Sequence, residues 1–217
     1  MNFFIDESMY QFRRILIEDV SEMSTSDKRV SGYFAPDSNI LYHALNLGNS
    51  PSLKSGEVRQ WLSKTKKTLY QPILDETYNV LNHFYIERRD TIAREHHRNL
   101  RNTSMERFYK MLDTNTTRLV LTPRFNRKSP IKHFNSDLSD RLLEEIERGK
   151  IGEVDATLLF LAGVAKPKAM VVSYDKGVNE VAFRHDIPCF DTRISRGRLP
   201  VDFTDPWDKR IDSPLPG

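Results

Sequence analysis

Ala169-Met170-Val171-Val172-Ser173-Tyr174 is the strongest strand signal in the chain: its first four residues are apolar, and Asp175 ends it. A continuous apolar run, in place of an alternating one, suits a strand buried on both faces, the situation in parallel sheets covered by helices. The flanking sequence agrees. Glu153 to Ala165 is a markedly apolar helix carrying Val154, Leu158, Leu159, Leu161 and Ala162, and Pro167 stops it. Val178 to His185 reads as a short helix, and Pro188-Cys189-Phe190 as a last small strand.

The upstream sequence repeats this alternation. Val30 to Ala35 is a short buried strand closed by Pro36-Asp37, and Ser38 can cap a helix carrying Ile40, Leu41, Ala44 and Leu45. Gly48-Asn49-Ser50-Pro51 closes that helix. Glu57 to Lys67 is a helix built on Val58, Trp61 and Leu62, with Trp61 as a core anchor, and Thr68 to Gln71 is a short strand. A long helix begins near Pro72, an allowed first-turn position for proline, and is read as far as Leu112. Arg118 to Thr122 is a further strand, 123–133 a basic loop, and Asp137 to Arg148 a polar-faced helix ended by Gly149.

Residues 3–23 read as an amphipathic helix on Met9, Phe12, Leu16, Val20 and Met23. Core packing is the preferred role for that stripe, and a homodimer contact or an antitoxin-like protein partner the minority one. The chain is thus expected to be one α/β domain with additions. These are an N-terminal helical extension over 1–27, a domain over 28–192 with a helical and basic insertion at about 86–133, and a proline-containing tail over 193–217. The domain is expected as an α/β/α sandwich around a central, mainly parallel sheet.

At 217 residues, 38% hydrophobic and 29% charged, the chain can bury a sizeable core. No stretch of about 18 apolar residues occurs, so no membrane span is expected. The opening Met1 to Glu7 lacks a basic region followed by an apolar run, so no secretory signal is expected either. A single cysteine, Cys189, excludes an internal disulfide and a Cys-rich zinc site. A cytoplasmic setting follows as the expectation.

Ligands of open α/β sheets gather outside the carboxyl ends of the strands. Asp37 and Asp175 fall there, each directly after a strand, while Glu76 and Asp155 lie near helix starts. One acid in a first turn serves the helix dipole and marks nothing by itself. Four acids abutting apolar sequence are another matter, because a lone buried charge is costly unless paired or bound to metal. Two carboxylates about 4 Å apart repel by about 4 kcal/mol at an effective dielectric near 20. Such a cluster calls for cations or raised pKa values, and hard oxygen donors select Mg²⁺ or Mn²⁺. The chemistry it offers is hydrolysis of a phosphodiester by an activated water.

Four stretches carry a family resemblance: Tyr33-Phe34-Ala35-Pro36-Asp37-Ser38-Asn39-Ile40-Leu41, Tyr70-Gln71-Pro72-Ile73-Leu74-Asp75-Glu76-Thr77, Glu153-Val154-Asp155-Ala156-Thr157-Leu158-Leu159 and Val171-Val172-Ser173-Tyr174-Asp175-Lys176-Gly177. In order and spacing the sequence resembles a PIN-domain protein, the nuclease family that includes the VapC-type toxins, and Ile187-Pro188-Cys189-Phe190 fits that family's final strand. The resemblance implies that Asp37, Glu76, Asp155 and Asp175 ligate one or two divalent ions. It also implies that Ser173 orients Asp175 or a ligand water, with Asn39 in a similar supporting role. Asp75 is the alternative to Glu76, about 100° away on the helix. Glu153 reads as a cap-region acid and Asp191 as peripheral. The chain departs from a compact PIN domain in its N-terminal addition, the long segment between Glu76 and Asp155, and its tail.

The net charge of +3 is unevenly spread. Ile86 to His133 holds twelve Lys/Arg against five Asp/Glu, or 12 − 5 = +7, leaving 3 − 7 = −4 for the rest. A basic segment on an acidic body suits a polyanion, or else is a solvated Arg-rich helix face. Arg94, Arg98 and Arg101 share a helical face, and Arg124, Arg127 and Lys128 follow in the basic loop. His96 and His97, as neighbours on a helix, do not share a face and read as solvated; His83 is assigned no chemistry. The leading expectation is an endoribonuclease, toxin-like or in RNA processing. The alternatives are a structure-specific DNA nuclease using the same acids and a non-catalytic PIN-like scaffold for nucleic acid or protein. If the basic segment contacts phosphates, replacing Arg94, Arg98 and Arg101 together by Ala should lower RNA affinity and flatten its salt dependence. Unchanged binding across a salt titration would remove that role.

Overall fold

The computed structural model describes residues 13–16, 33–47, 52–87, 106–112, 117–121, 130–165 and 169–200. Strands β1 (Arg13–Leu16), β2 (Phe34–Pro36), β3 (Lys67–Tyr70), β4 (Thr117–Leu121), β5 (Met170–Ser173) and β6 (Cys189–Asp191) form one sheet. Their order is β1-β4-β3-β2-β5-β6, and every pairing is parallel. The helices are α1 (Ser38–Ala44), α2 (Ser55–Lys64), α3 (Gln71–Glu87), α4 (106–112), α5 (Asp137–Glu147), α6 (Glu153–Val164) and α7 (Lys176–Arg184). The α/β architecture with a parallel central sheet is the one expected. Every residue of β2, β3 and β5 is buried, as strands covered on both faces require.

One expected element is corrected. Residues 13–16 do not lie in a helix but in β1, paired with β4 from Arg13 opposite Arg118 to Leu16 opposite Leu121. Spaced apolar residues there matched a helical period, but pairing to the β4 edge supplies the backbone partners that a helix would have found internally. The long helix is seen as α3 over Gln71–Glu87 and α4 over 106–112; the stretch 88–105 lies outside the described residues. Lys67, expected at a helix end, begins β3.

Packing around α6 organises the rest. Its residues Ala156 to Ala162 are all buried, which explains a helix apolar on every side. Phe160 stacks on Phe134 with ring centroids 4.3 Å apart. Helices α3, α5 and α7 pack on α6, and α1 packs on α3. On the other side of β2, Trp61 lies against Phe34 and donates its Nε1–H to Pro200 O at 2.7 Å, fixing the end of the described chain to α2. Buried Glu145 on α5 accepts from Arg184 on α7 at 2.5 Å and lies 3.2 Å from His185 Nε2.

Strand order reverses between β2 and β5: from β2 the chain steps outward to β3 and β4, then returns to β5 and β6 on the opposite side. That is the topological switch point, where a crevice opens beyond the carboxyl ends. Pro36 sharpens it. Phe34 N bonds Lys66 O of the β3 side at 2.9 Å, and Asp37 N bonds Val172 O of β5 at 3.0 Å. By alternation the missing N–H of Pro36 would have faced β3, and the β2–β3 register indeed stops at Phe34 and Lys67.

Gly177 sets how closely α7 approaches the start of α6. A Cβ at Gly177 would lie 2.5 Å from the backbone oxygen of Lys150 and 3.1 Å from Asp175 Oδ1. Gly177→Ala is therefore expected to cost about 1–3 kcal/mol, measured by urea unfolding, and to displace Asp175 from Asp155. A variant as stable as the parent would show that this close approach is relaxed without strain.

Candidate active site

Asp37 leaves β2 at the switch point and is 1% exposed. It caps α1: Oδ1 accepts from Ser38 N at 2.6 Å and from Ser38 Oγ at 3.3 Å. Oδ2 accepts from Asn39 Nδ2 at 2.6 Å and from Ser173 Oγ at 2.7 Å. The Asn39 carbonyl accepts from Tyr174 N at 3.0 Å, and the Ser173 hydroxyl accepts from Asp175 N at 2.9 Å. Ser173 and Asn39 thus stitch the ends of β2 and β5 together around one carboxylate. The Ser173 hydroxyl bonds the carboxylate of Asp37 but only the backbone N–H of Asp175.

The other acids surround this floor. Asp155, in the first turn of α6, accepts from Gly152 N through Oδ2 at 3.1 Å. Asp175 is exposed and caps α7, its Oδ1 accepting from Val178 N at 3.1 Å. Glu76 lies in the second turn of α3, and its Oε2 is buried with no hydrogen-bond partner among the described residues. Glu153 faces outward to Lys132 Nζ at 2.8 Å.

Electrostatics tie the set together. Burial, first, and then the charge of Asp155 raise Asp37 to about 7, with Glu76 adding to the shift and the bonds from Ser173 and Ser38 opposing it. Burial raises Asp155 to about 6; the Gly152 amide opposes this, and Glu76 and Asp175 reinforce it. Glu76 is also raised, by burial, against the Ser38 hydroxyl. Each of the four acids therefore lies within the field of at least one other. They are nonetheless not drawn into one shell: among the described residues, no three His, Cys, Asp or Glu form a group that could hold a metal ion. Backbone amides hold Asp37, Asp155 and Asp175 where they stand.

Several contributors escape sequence reasoning. Burial raises the Tyr42 hydroxyl, and the charges of Glu76, Asp37 and Asp155 add to this, while the Ser38 hydroxyl lowers it. Tyr42 sits one helical turn past Ser38, so the spacing was visible but the acids it faces were not. Asn179 donates to the backbone oxygen of Asp175 at 2.6 Å and accepts from Cys189 Sγ at 2.7 Å, bracing the start of α7. Asp191 is opposite Ser173 in register and holds Arg193. Arg94, Arg98, Arg101, Arg124, Arg127 and Lys128 lie outside the described residues.

The chain matches no family model, and no curated protein is significantly similar to it.

The raised acids give a signed pH dependence in the absence of divalent cations. Folded Asp37 and Asp155 hold protons up to about 7 and about 6, whereas unfolded they release them near pH 4. Their contribution to stability is thus greatest at about pH 4 and below, and is lost as pH rises through about 4 to 7. Asp155→Asn keeps an oxygen for Gly152 N and removes one repelling charge. It is expected to raise the metal-free Tm at about pH 8 by about 2–6 °C and to flatten the decline from about pH 5, followed by circular dichroism. A wild-type Tm that climbs with pH over this range would contradict the assignment.

Proposed function

We propose that the chain is a divalent-metal-dependent nuclease of the PIN kind, an endoribonuclease acting in the cytoplasm in RNA processing or as a toxin-like enzyme. The observation that carries this reading is the set Asp37, Glu76, Asp155 and Asp175 near the switch point of a parallel sheet, where the charges of Asp155 and Glu76 act on buried Asp37, and those of Glu76 and exposed Asp175 on Asp155. The ordered motifs around these acids, together with the +7 charge of Ile86 to His133, support it.

The chemistry of the donors suits a hard divalent cation, Mg²⁺ or Mn²⁺: all four side chains offer carboxylate oxygens, and Glu76 Oε2 is buried without a partner among the described residues. Asp37, Glu76, Asp155 and Asp175 are the residues that would hold one or two such ions. When bound, the cation supplies Lewis acidity, making water a stronger nucleophile and offsetting charge on the phosphate oxygens.

The remaining work belongs to the chain. Ser38 N, Asn39 Nδ2 and Ser173 Oγ donate to Asp37, which favours its charged form and fixes its orientation. Burial opposes that charge, so Asp37 holds a proton near neutrality until a positive charge arrives. The amides of Gly152 and Val178 orient Asp155 and Asp175 in the same way. Glu76, with its buried free oxygen, is the acid most in need of a cation. Basic side chains in Ile86 to His133 would carry the nucleic-acid backbone toward the crevice.

The deciding assay is cleavage of labelled RNA, single-stranded DNA and duplex DNA with Mn²⁺ or Mg²⁺, comparing wild type with Asp37→Asn and Asp175→Asn. RNA cleavage that needs the metal and falls by about 100-fold or more in Asp37→Asn is expected. Equal residual cleavage in both variants identifies a contaminant and removes the reading. Cleavage of DNA alone moves it to a structure-specific DNA nuclease, and binding without cleavage to a scaffold.

A further inference from the structure

Past β6 the chain makes a tight turn over 192–197. Thr192 fixes its start, donating to Ser173 O through its backbone N at 3.0 Å and through Oγ1 at 3.1 Å. Ser173 pairs with Asp191 at the last position of the parallel β5–β6 register, so Asp175 and Arg193 each follow two residues past it at the carboxyl end of the sheet, within reach of one another's charge. Arg193 lies in a stretch that reads, in sequence, as an extended tail.

Asp191 holds this arginine firmly. Its Oδ1 accepts from Arg193 N at 2.9 Å and from Nε at 3.0 Å, and its Oδ2 accepts from Nη2 at 2.5 Å. A two-point fork of this kind fixes the plane of the guanidinium. It also commits only one edge of the group. Among the described residues no hydrogen bond takes up the Nη1 edge, and the side chain is 31% exposed. The Asp191 hydrogen bond, and then the charges of Asp191, Asp175 and Glu180, favour its charged form.

A nuclease with four carboxylates has to admit a polyanion into a negative crevice. A mobile cation at the rim would fold onto Asp175 and neutralise it. A cation tethered to a separate acid stays beside Asp175 with a free edge, and a guanidinium edge matches two phosphate oxygens. We propose that Arg193, held by Asp191, binds a phosphate of the nucleic-acid substrate beside Asp175 and so sets the position of the strand at the acidic site. This rests on the nuclease reading above.

The test compares wild type, Arg193→Gln and Arg193→Lys in three measurements: binding of a fluorescent single-stranded RNA in EDTA across a salt titration, Mn²⁺-dependent cleavage kinetics, and Tm. Arg193→Gln is expected to weaken RNA affinity by about tenfold and to reduce the slope of log K against log salt by about 0.7, the loss of one phosphate contact on a single strand. KM should rise while kcat changes little. Arg193→Lys, which keeps the charge and loses the fork, should keep the slope and recover part of the affinity. Wild-type affinity and slope in Arg193→Gln, with wild-type enzyme cleaving RNA, overturns this inference and leaves the nuclease reading standing. A drop in Tm with an unchanged slope overturns it too, by showing a merely structural ion pair. A wild-type protein that neither binds nor cleaves RNA or DNA overturns both.

Discussion

The hydrogen bonds between the ends of β2 and β5 are the constraint on which the rest of the site depends. Asp37 N donates to Val172 O at 3.0 Å, and the Ser173 hydroxyl returns a bond to Asp37 Oδ2 at 2.7 Å. The pair joins the two strands where the order of the sheet reverses, so it both closes the ladder and sets the floor of the crevice. Pro36 adds direction, since its missing donor releases β2 from β3 on the side where α3 begins and leaves β2 attached to β5. Glu76 enters from that released side. One proline and one serine hydroxyl thus tie Asp37 to β5 and free the β3 side of the strand end.

Gathering acids here runs against stability, and the fold meets the cost locally. Asp37 and Asp175 cap helices, and Asp155 lies in a first turn. The positive ends of three helices therefore converge on the cluster, each able to offset roughly 0.3–1 kcal/mol of its charge. Burial, and after it the field of the neighbouring acids, outweighs that help in the absence of cations, and raises Asp37 to about 7 and Asp155 to about 6. The buried stretch Ala156 to Ala162 of α6 provides the apolar backing behind them. Capping and metal-binding readings of a first-turn acid are accordingly not competitors. A backbone amide holds one oxygen of Asp155 and one of Asp175, whereas at Asp37 Asn39 and Ser173 hold the second oxygen as well.

Much of this was legible in the order of residue types. An apolar run ended by Asp175, an apolar helix opened by Asp155, and Asp37 after a short aromatic strand each declare their element within a few residues, because burial on both faces leaves a continuous apolar signature. β1 was not legible. A four-residue edge strand carries no period long enough to compete with the helical spacing around it, and its partner β4 lies more than a hundred residues away. Gly177 was visible as a residue but not as a requirement, since the Lys150 carbonyl that forbids a side chain there comes from another turn. Tyr42 and Asn179 were missed for the same reason: their roles are defined by groups from other elements.

Arg193 and Asp191 show the limit most clearly. In sequence they are two charges of opposite sign, one residue apart, at the start of a proline-containing stretch, and local pairing accounts for them. Parallel register changes their meaning. Once Ser173 is opposite Asp191, the turn that carries Arg193 and the cap residue Asp175 start from the same end of the sheet, and a local ion pair becomes a cation held within the field of an acid of the candidate site. The acid ends β6 and the base follows in the turn, close enough for Asp191 to hold it. Without Asp191, the carboxylates left acting on Arg193 would be Asp175 and Glu180, and a guanidinium drawn onto Asp175 would no longer be free for the phosphate that it is proposed to bind.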